Sequence, residues 1–251
     1  MSETLKDRIR DFWHAEPCGT KTAEAAPGTA AFFEQVETAR YELEPFIYDF
    51  AAFRAWRGKR VLEVGVGLGT DFVNFVRAGA DATGVDLTDA AVAAVRERLA
   101  LEGLTADVRV ADAESLPFGD GAFDLVYSWG VLHHTPDTER ALAEVRRVLA
   151  PGGEARIMLY SRRSWVALGV WLRYGVARGR PWRSWSTLLA EHMESPGTRA
   201  FTQRELERLF SGFSSVEYRR FRTPYDRRVG GPLVGLLPER LAWFVGIVAR
   251  P

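Results

Sequence analysis

The sequence predicts an α/β protein built on a largely parallel sheet with helices on both faces. Three observations carry this. Between residues 59 and 160, five short apolar runs alternate with helical patterns. Strands spaced by helices of that length form βαβ units, whose crossovers are right-handed. After residue 213, two more β-rich runs bring the strand count to seven.

The first strand is VLEV (61–64), followed at once by glycines. ATGVD (82–86), DVRV (107–110), FDLVYS (123–128) and EARIMLY (154–160) are the next four. Between them lie DFVNFVRAG, TDAAVAAVRERLALEG and TERALAEVRRVLAPGG. In the second of these, Val92, Val95 and Leu99 fall on one face at helical spacing. SSVEYRRF (214–221) and WFVGIVA (243–249) are the last two strands. TQRELERLF (202–210) precedes them as a helix, with Thr202 as N-cap and Glu205 completing a capping box. Near the N-terminus, FFEQVETARYELEPFI (32–47) is helical up to Pro45, and Phe33, Glu37, Arg40 and Tyr41 share a face.

Size and composition limit the function classes. The 251 residues make one large domain, or one domain with a small appendage. With 47% hydrophobic and 26% charged residues, wholesale disorder is excluded. The single Cys18 allows no intrachain disulfide and no cysteine-based zinc cluster, so no metal site is expected. Residues 1–13 are charged where a leader would be apolar, so neither a signal peptide nor a membrane span is expected and the cytoplasm is the expected location. The net charge of zero conceals a split. Residues 160–251 hold 16 Arg, no Lys and 7 acids, and the remainder of the chain carries the matching negative excess.

The chemistry-bearing signal starts in Gly65-Val66-Gly67-Leu68-Gly69-Thr70. Glycines between a strand and a helix allow a tight turn and close approach to a ligand, while the helix amides face it. The spacing is Gly-x-Gly-x-Gly, not that of the dinucleotide fingerprint, and a turn without a ligand remains open at this point. Asp86 ends the second strand, 21 residues after Gly65. It reads either as a carboxylate for the ribose hydroxyls of NAD or S-adenosylmethionine (SAM), or as a cap for the helix after it. Asp112 follows the third strand. In a doubly wound sheet it converges with Gly65 and Asp86 on one edge, where it can accept the amine of adenine.

The ordered set VLEVGVGLGT (61–70), GVDLT (84–88), VADAESLPF (110–118), FDLVYSWGVLHH (123–134) and RVLAPGGEARI (147–157) resembles the class I SAM-dependent methyltransferases. The resemblance is to their small-molecule branch, which includes the ubiquinone and menaquinone enzymes. It implies a Rossmann-like seven-stranded sheet in the order 3-2-1-4-5-7-6 with strand 7 antiparallel. It also implies an N-terminal helical lid (1–58), a catalytic domain (59–251) and an acceptor cap at 161–200 between strands 5 and 6. By position, Glu63, Gly65, Val66, Gly67, Gly69 and Thr70 match the loop for the methionine part of SAM, with Asp71 in reach of its carboxylate or amine. Asp86 and Leu87 match the ribose acid and its neighbour. Asp112 and Ala113 match the adenine pair, and Ser128 and Trp129 flank the methionine moiety.

The implied function is methyl transfer from SAM to a small, partly apolar acceptor, releasing S-adenosylhomocysteine. Alternatives are a macromolecular acceptor (RNA or protein), a membrane-associated lipid or quinone, and a silent SAM-binding scaffold. No nucleic acid and no stable membrane insertion are expected, and the chain would be a monomer or homodimer. His133 and His134 are base candidates, and Tyr41 is a candidate lid residue beside the reacting centre. His192 could enter the pocket from the cap. Trp165, Trp171, Trp182 and Trp185 are expected to line an aromatic acceptor pocket with Arg on its outer face. The positive half points to an acceptor bearing a carboxylate or phosphate.

Overall fold

The computed structural model describes residues 4–231 and 238–251, so residues 1–3 of the charged N-terminal stretch lie outside it. Seven strands form one sheet: β1 (Arg60–Val64), β2 (Asp81–Asp86), β3 (Asp107–Val110), β4 (Phe123–Trp129), β5 (Leu149–Tyr160), β6 (Ser215–Phe221) and β7 (Phe244–Arg250). Their order is β3-β2-β1-β4-β5-β7-β6. β7 runs antiparallel to both β5 and β6, and the other pairings are parallel. The sheet order and the hand of β7 agree with the expectation.

Period-two alternation explains why the central strands are apolar throughout. Val61, Leu125, Tyr127 and Trp129 pack on one face with Phe72 and Phe75 of α4 (Thr70–Arg77) and Phe50 of α3 (Phe46–Ala51). Leu62, Val64, Val126 and Ile157 pack on the other face. There they meet Leu142 and Val145 of α6 (Thr138–Val148) and Leu206 of α9 (Gln203–Leu209). Both faces are covered, so a polar residue in these strands must find a partner inside the protein.

β1 sits at the switch point, because the chain leaves it toward β2 and β3 and later returns on its other side as β4. A crevice opens there at the carboxyl ends of the strands. The glycine loop fills this position, with φ of 84° at Gly65, 52° at Gly67 and 75° at Gly69. A Cβ on Gly65 would fall 2.2 Å from Val131 Cγ2, whereas one on Gly67 would meet nothing within 4 Å. The first glycine thus serves close packing, and the second faces open space.

Three helices precede the sheet: α1 (Leu5–Ala15), α2 (Ala30–Leu43) and α3. Thr4 and Asp7 form a capping box on α1. α2 stops at Leu43, just before Pro45, as read, and Pro45 is the N-cap of a further short helix, α3. The shared face of α2 is present. Glu37 accepts from Arg77, Asn74 and the buried Arg98, tying α2 to α4 and α5 (Asp89–Leu101).

After β5 come α7 (Trp165–Tyr174) and α8 (Trp185–His192), and α10 (Pro224–Gly230) follows β6. The capping box of Thr202 and Glu205 is formed. β5 begins earlier than read, at Leu149, with a register shift opposite Phe123 and Leu125 that accommodates Pro151–Gly153. Several arginines of the positive half are satisfied locally, as in Arg162–Glu205, Arg183–Glu191 and Arg250–Glu154. Among the described residues, no helix is long and apolar enough to cross a membrane.

Candidate ligand-binding site

A cavity of about 290 Å³ lies along the carboxyl ends of the strands. It runs from Asp112 and Ala113 after β3, past Asp86 and Leu87 after β2, to Gly65, Val66 and Gly67 after β1. It continues along Trp129 at the end of β4 to Tyr160 of β5 and Phe244 of β7. Five inter-strand gaps of about 4.8 Å separate β3 from β7, giving it a length near 24 Å. Residues of α1, of the α1–α2 connection and of α2 close it from above, among them Ile9, Trp13, Cys18, Val36 and Arg40.

The structure places most of the expected ligand-binding residues in this wall: Glu63, Gly65, Val66, Gly67, Thr70, Asp86, Leu87, Asp112, Ala113 and Trp129. Two are elsewhere. Ser128 precedes Trp129 and so points to the other side of the strand, where its hydroxyl donates to the Val64 carbonyl at 3.0 Å. Gly69 is the N-cap of α4, and a Cβ there would meet Val95 rather than the cavity.

Asp86 is already anchored. Gly67 N–H donates to its Oδ2 at 3.1 Å, and the Thr88 amide and hydroxyl donate to Oδ1 at 3.0 and 2.9 Å. The cap reading fails, because Thr88 is the N-cap of α5 and accepts from the Ala91 amide, while Asp86 braces Thr88 and lines the cavity. Asp112 accepts the Lys6 ammonium of α1 at 2.6 Å and the Glu114 amide at 2.9 Å. No sequence signal pointed to this lysine, which lies 106 positions away.

Glu63 is buried with Oε2 unpartnered, and desolvation holds its carboxyl well above the usual range, with Asp71 adding to the effect. A buried acceptor without a donor is costly unless a ligand supplies one. Asp71, by contrast, is fully engaged. Arg40 donates from Nε at 3.3 Å and Nη2 at 2.7 Å, and the Tyr41 and Tyr127 hydroxyls donate at 3.0 and 2.9 Å.

The base candidates separate. His133 is fully buried against the Tyr160 ring, does not line the cavity, and leaves both ring nitrogens without side-chain partners. Desolvation and the neighbouring His134 hold it neutral. His134 does line the cavity. Ser195 Oγ and Thr198 Oγ1 lie 2.8 and 3.1 Å from its Nδ1, while Nε2 is unpartnered and 3.8 Å from Glu194 Oε2. Burial lowers the His134 pKa to about 3. Tyr41 is committed to Asp71 beneath the site and lies outside the cavity wall, so it is a support for the acid rather than a group at the reacting centre.

The cap contributes differently from the expectation. None of Trp165, Trp171, Trp182 and Trp185 lines the cavity, and Trp182 is 78% exposed. His192 stacks on Tyr174 at 4.0 Å instead of entering. The α8 helix ends at His192, and the loop after it turns Glu194 inward. The aromatic wall comes from Trp13, Trp129, Tyr160, Tyr225 and Phe244, drawn from five elements. Cys18 also lines the cavity as an exposed free thiol, and desolvation with Glu194 nearby shifts its pKa upward.

Among the described residues, no His, Cys, Asp and Glu cluster could hold a metal ion. The donor set fits SAM instead: carboxylates at the ends of β2 and β3, an unpartnered carboxylate under the glycine loop, and open space over Gly67.

Comparison with known proteins agrees. Residues 62–157 match the family model described as a methyltransferase domain. A ubiquinone/menaquinone biosynthesis C-methyltransferase of Idiomarina loihiensis is 33% identical over 149 residues, covering 53% of this chain and 59% of that protein. The chain thus spans under two thirds of that relative's length. Among solved structures, a SAM-dependent methyltransferase from Aquifex aeolicus superposes with a TM-score of 0.54 at 15% identity, over 86% of this chain and 95% of the other. The cyclase SpnF superposes with a TM-score of 0.61 at 19% identity, over 99% and 97%. At such identities these two show the fold alone, while the matched segment carries every motif from the first strand to the fifth. Residues 62–157 therefore match the methyltransferase-domain family model, and the chain carries the fold of the SAM-dependent methyltransferases.

Proposed function

We propose that the chain transfers the methyl group of SAM to a small, partly apolar acceptor. The carrying observation is the continuity of one cavity from the glycine loop, Asp86 and Asp112 to an aromatic end with His134 and Glu194. A cofactor and a small acceptor can meet there without leaving protein walls.

When bound, SAM supplies a methyl group already activated by its sulfonium. The chain's own task is mainly positioning. Asp86, braced by Gly67 and Thr88, would hold the ribose, and Asp112 the adenine amine, which requires Lys6 to share or yield that carboxylate. Glu63 would take a donor from the methionine part. Residues 5–43, which close the cavity, would act as a lid over it.

For an acceptor that must lose a proton, Glu194 is better matched than either histidine. Desolvation at the cavity wall raises the carboxyl of the partly exposed Glu194 above its usual value, whereas burial lowers the His134 pKa to about 3. Proton transfer works best when the group's pKa lies near the working pH.

The fold does not fix the chemistry, as the similarity to a cyclase makes plain. Isothermal titration with S-adenosylhomocysteine tests the reading. Binding is expected, and Asp86→Ala is expected to weaken it about 100-fold through loss of charge-assisted hydrogen bonds. No binding by the intact chain would sink the proposal, and unchanged affinity in the variant would refute the ribose role.

A further inference from the structure

The far end of the cavity, beyond Trp129, has a chemistry that the cofactor does not use. Two carboxylates stand there. Glu44, just after α2, accepts the Trp129 indole N–H at 3.0 Å. Glu194 accepts the Tyr160 hydroxyl at 3.2 Å. Neither has a lysine or arginine as an ion-pair partner among the described residues. Arg40 is the cation on this side of the cavity, and its hydrogen bonds go to Asp71.

Aromatic rings surround the two acids. Phe244 is the hub, with ring centroids of Tyr160 at 5.5 Å, Trp129 at 6.1 Å and Tyr225 at 6.4 Å. Ring faces carry negative potential and attract a cation, most strongly where water is excluded.

His134 adds an independent observation. The Thr198 hydroxyl donates to the Ser195 carbonyl at 2.7 Å, so it meets His134 Nδ1 as an acceptor. With the ring hydrogen on Nδ1, where the Thr198 and Ser195 hydroxyl oxygens can accept it, the Nε2 lone pair is free. Nε2 is buried, unpartnered and 3.8 Å from Glu194 Oε2. Two acceptors at that separation are too far apart to bond and suitably placed to share a donor with several hydrogens. An ammonium group has three.

We propose that this end of the cavity binds an acceptor through a protonated amine, seated between Glu194, Glu44 and the His134 Nε2 within the ring of Trp129, Tyr160, Tyr225 and Phe244. The proposal deepens the methyltransferase reading and rests on it. It also reverses the expectation of an anionic acceptor. The Arg-rich half supplies Tyr160, Glu194, Tyr225 and Phe244 to the cavity wall and no arginine.

The test uses the full chain saturated with S-adenosylhomocysteine and three probes of one shape: 2-phenylethylamine, neutral 2-phenylethanol and anionic 3-phenylpropanoate. Calorimetry is expected to show the amine bound at least about tenfold more tightly than the alcohol, with the carboxylate weakest. Glu194→Gln and Glu44→Gln should each weaken the amine about tenfold and leave both the alcohol and S-adenosylhomocysteine unchanged. The idea is overturned if the amine fails to bind, if the alcohol or carboxylate binds as well, or if neither variant moves the amine. Loss of S-adenosylhomocysteine binding by the unaltered chain would instead bring down the methyltransferase reading, so the two failures are distinguishable.

Discussion

Arg40 lies across Asp71, with Nε 3.3 Å from Oδ1 and Nη2 2.7 Å from Oδ2, and so joins the N-terminal helices to the helix that starts at the glycine loop. Asp71 is 2% exposed and also receives the hydroxyls of Tyr41 and Tyr127. Removing one partner of such a group leaves a charge and two hydroxyls without their bonds. Asp71→Ala should therefore lower stability by about 3–5 kcal/mol, read from urea unfolding. A loss below 1 kcal/mol would show that the cluster is not a structural joint.

Gly65 and Gly67 share a left-handed backbone and differ in what surrounds them. An alanine at 65 drives its Cβ into Val131, whereas one at 67 enters the cavity. Gly65→Ala is expected to cost more stability than Gly67→Ala, whose cost should be near the roughly 1–2 kcal/mol of left-handed strain. Gly67→Ala should fold and yet bind S-adenosylhomocysteine poorly. Equal melting temperatures for the two variants would contradict this.

Glu63 is held protonated-prone by burial and has one oxygen without a partner. Glu63→Gln keeps the shape and removes the cost of ionising the group. The ligand-free protein should be as stable as the wild type or more so, while affinity for S-adenosylhomocysteine falls. A loss of stability with unchanged affinity would assign Glu63 to the scaffold.

His134 makes folding sensitive to acid. Its folded pKa, about 3, lies below the unfolded value near 6.5. The unfolded chain therefore binds more protons in that interval, and the stability contributed above it is lost as pH falls through it. The raised acids Glu44, Glu63 and Glu194 act in the opposite sense, so the variant comparison isolates the histidine. Between about pH 6 and 4, the wild type should lose about 1.4 kcal/mol per pH unit more than His134→Asn. Parallel pH profiles for the two proteins would show that His134 is not buried as described.

The strands and the residues along the glycine-loop side of the cavity were legible in the sequence because their signals are local, while the strand order followed from the family resemblance. Alternating apolar runs define strands, Gly65, Gly67 and Gly69 mark a turn, and Asp86 and Asp112 sit at strand ends that the winding of the chain brings to one edge. The acceptor end was not legible. Its wall takes Glu44 from the end of one helix, His134 from the turn after β4, Glu194 from a loop and Phe244 from the last strand. No spacing rule links these positions. Local pattern equally could not separate His133 from His134, or Ser128 from Trp129, since adjacent residues differ only in the direction the backbone turns them. The sequence by itself determined which strands form and that Gly65, Asp86 and Asp112 follow strand ends on one edge. Only tertiary packing decided which charges line the far end of the cavity, because burial and proximity depend on elements far apart in the chain.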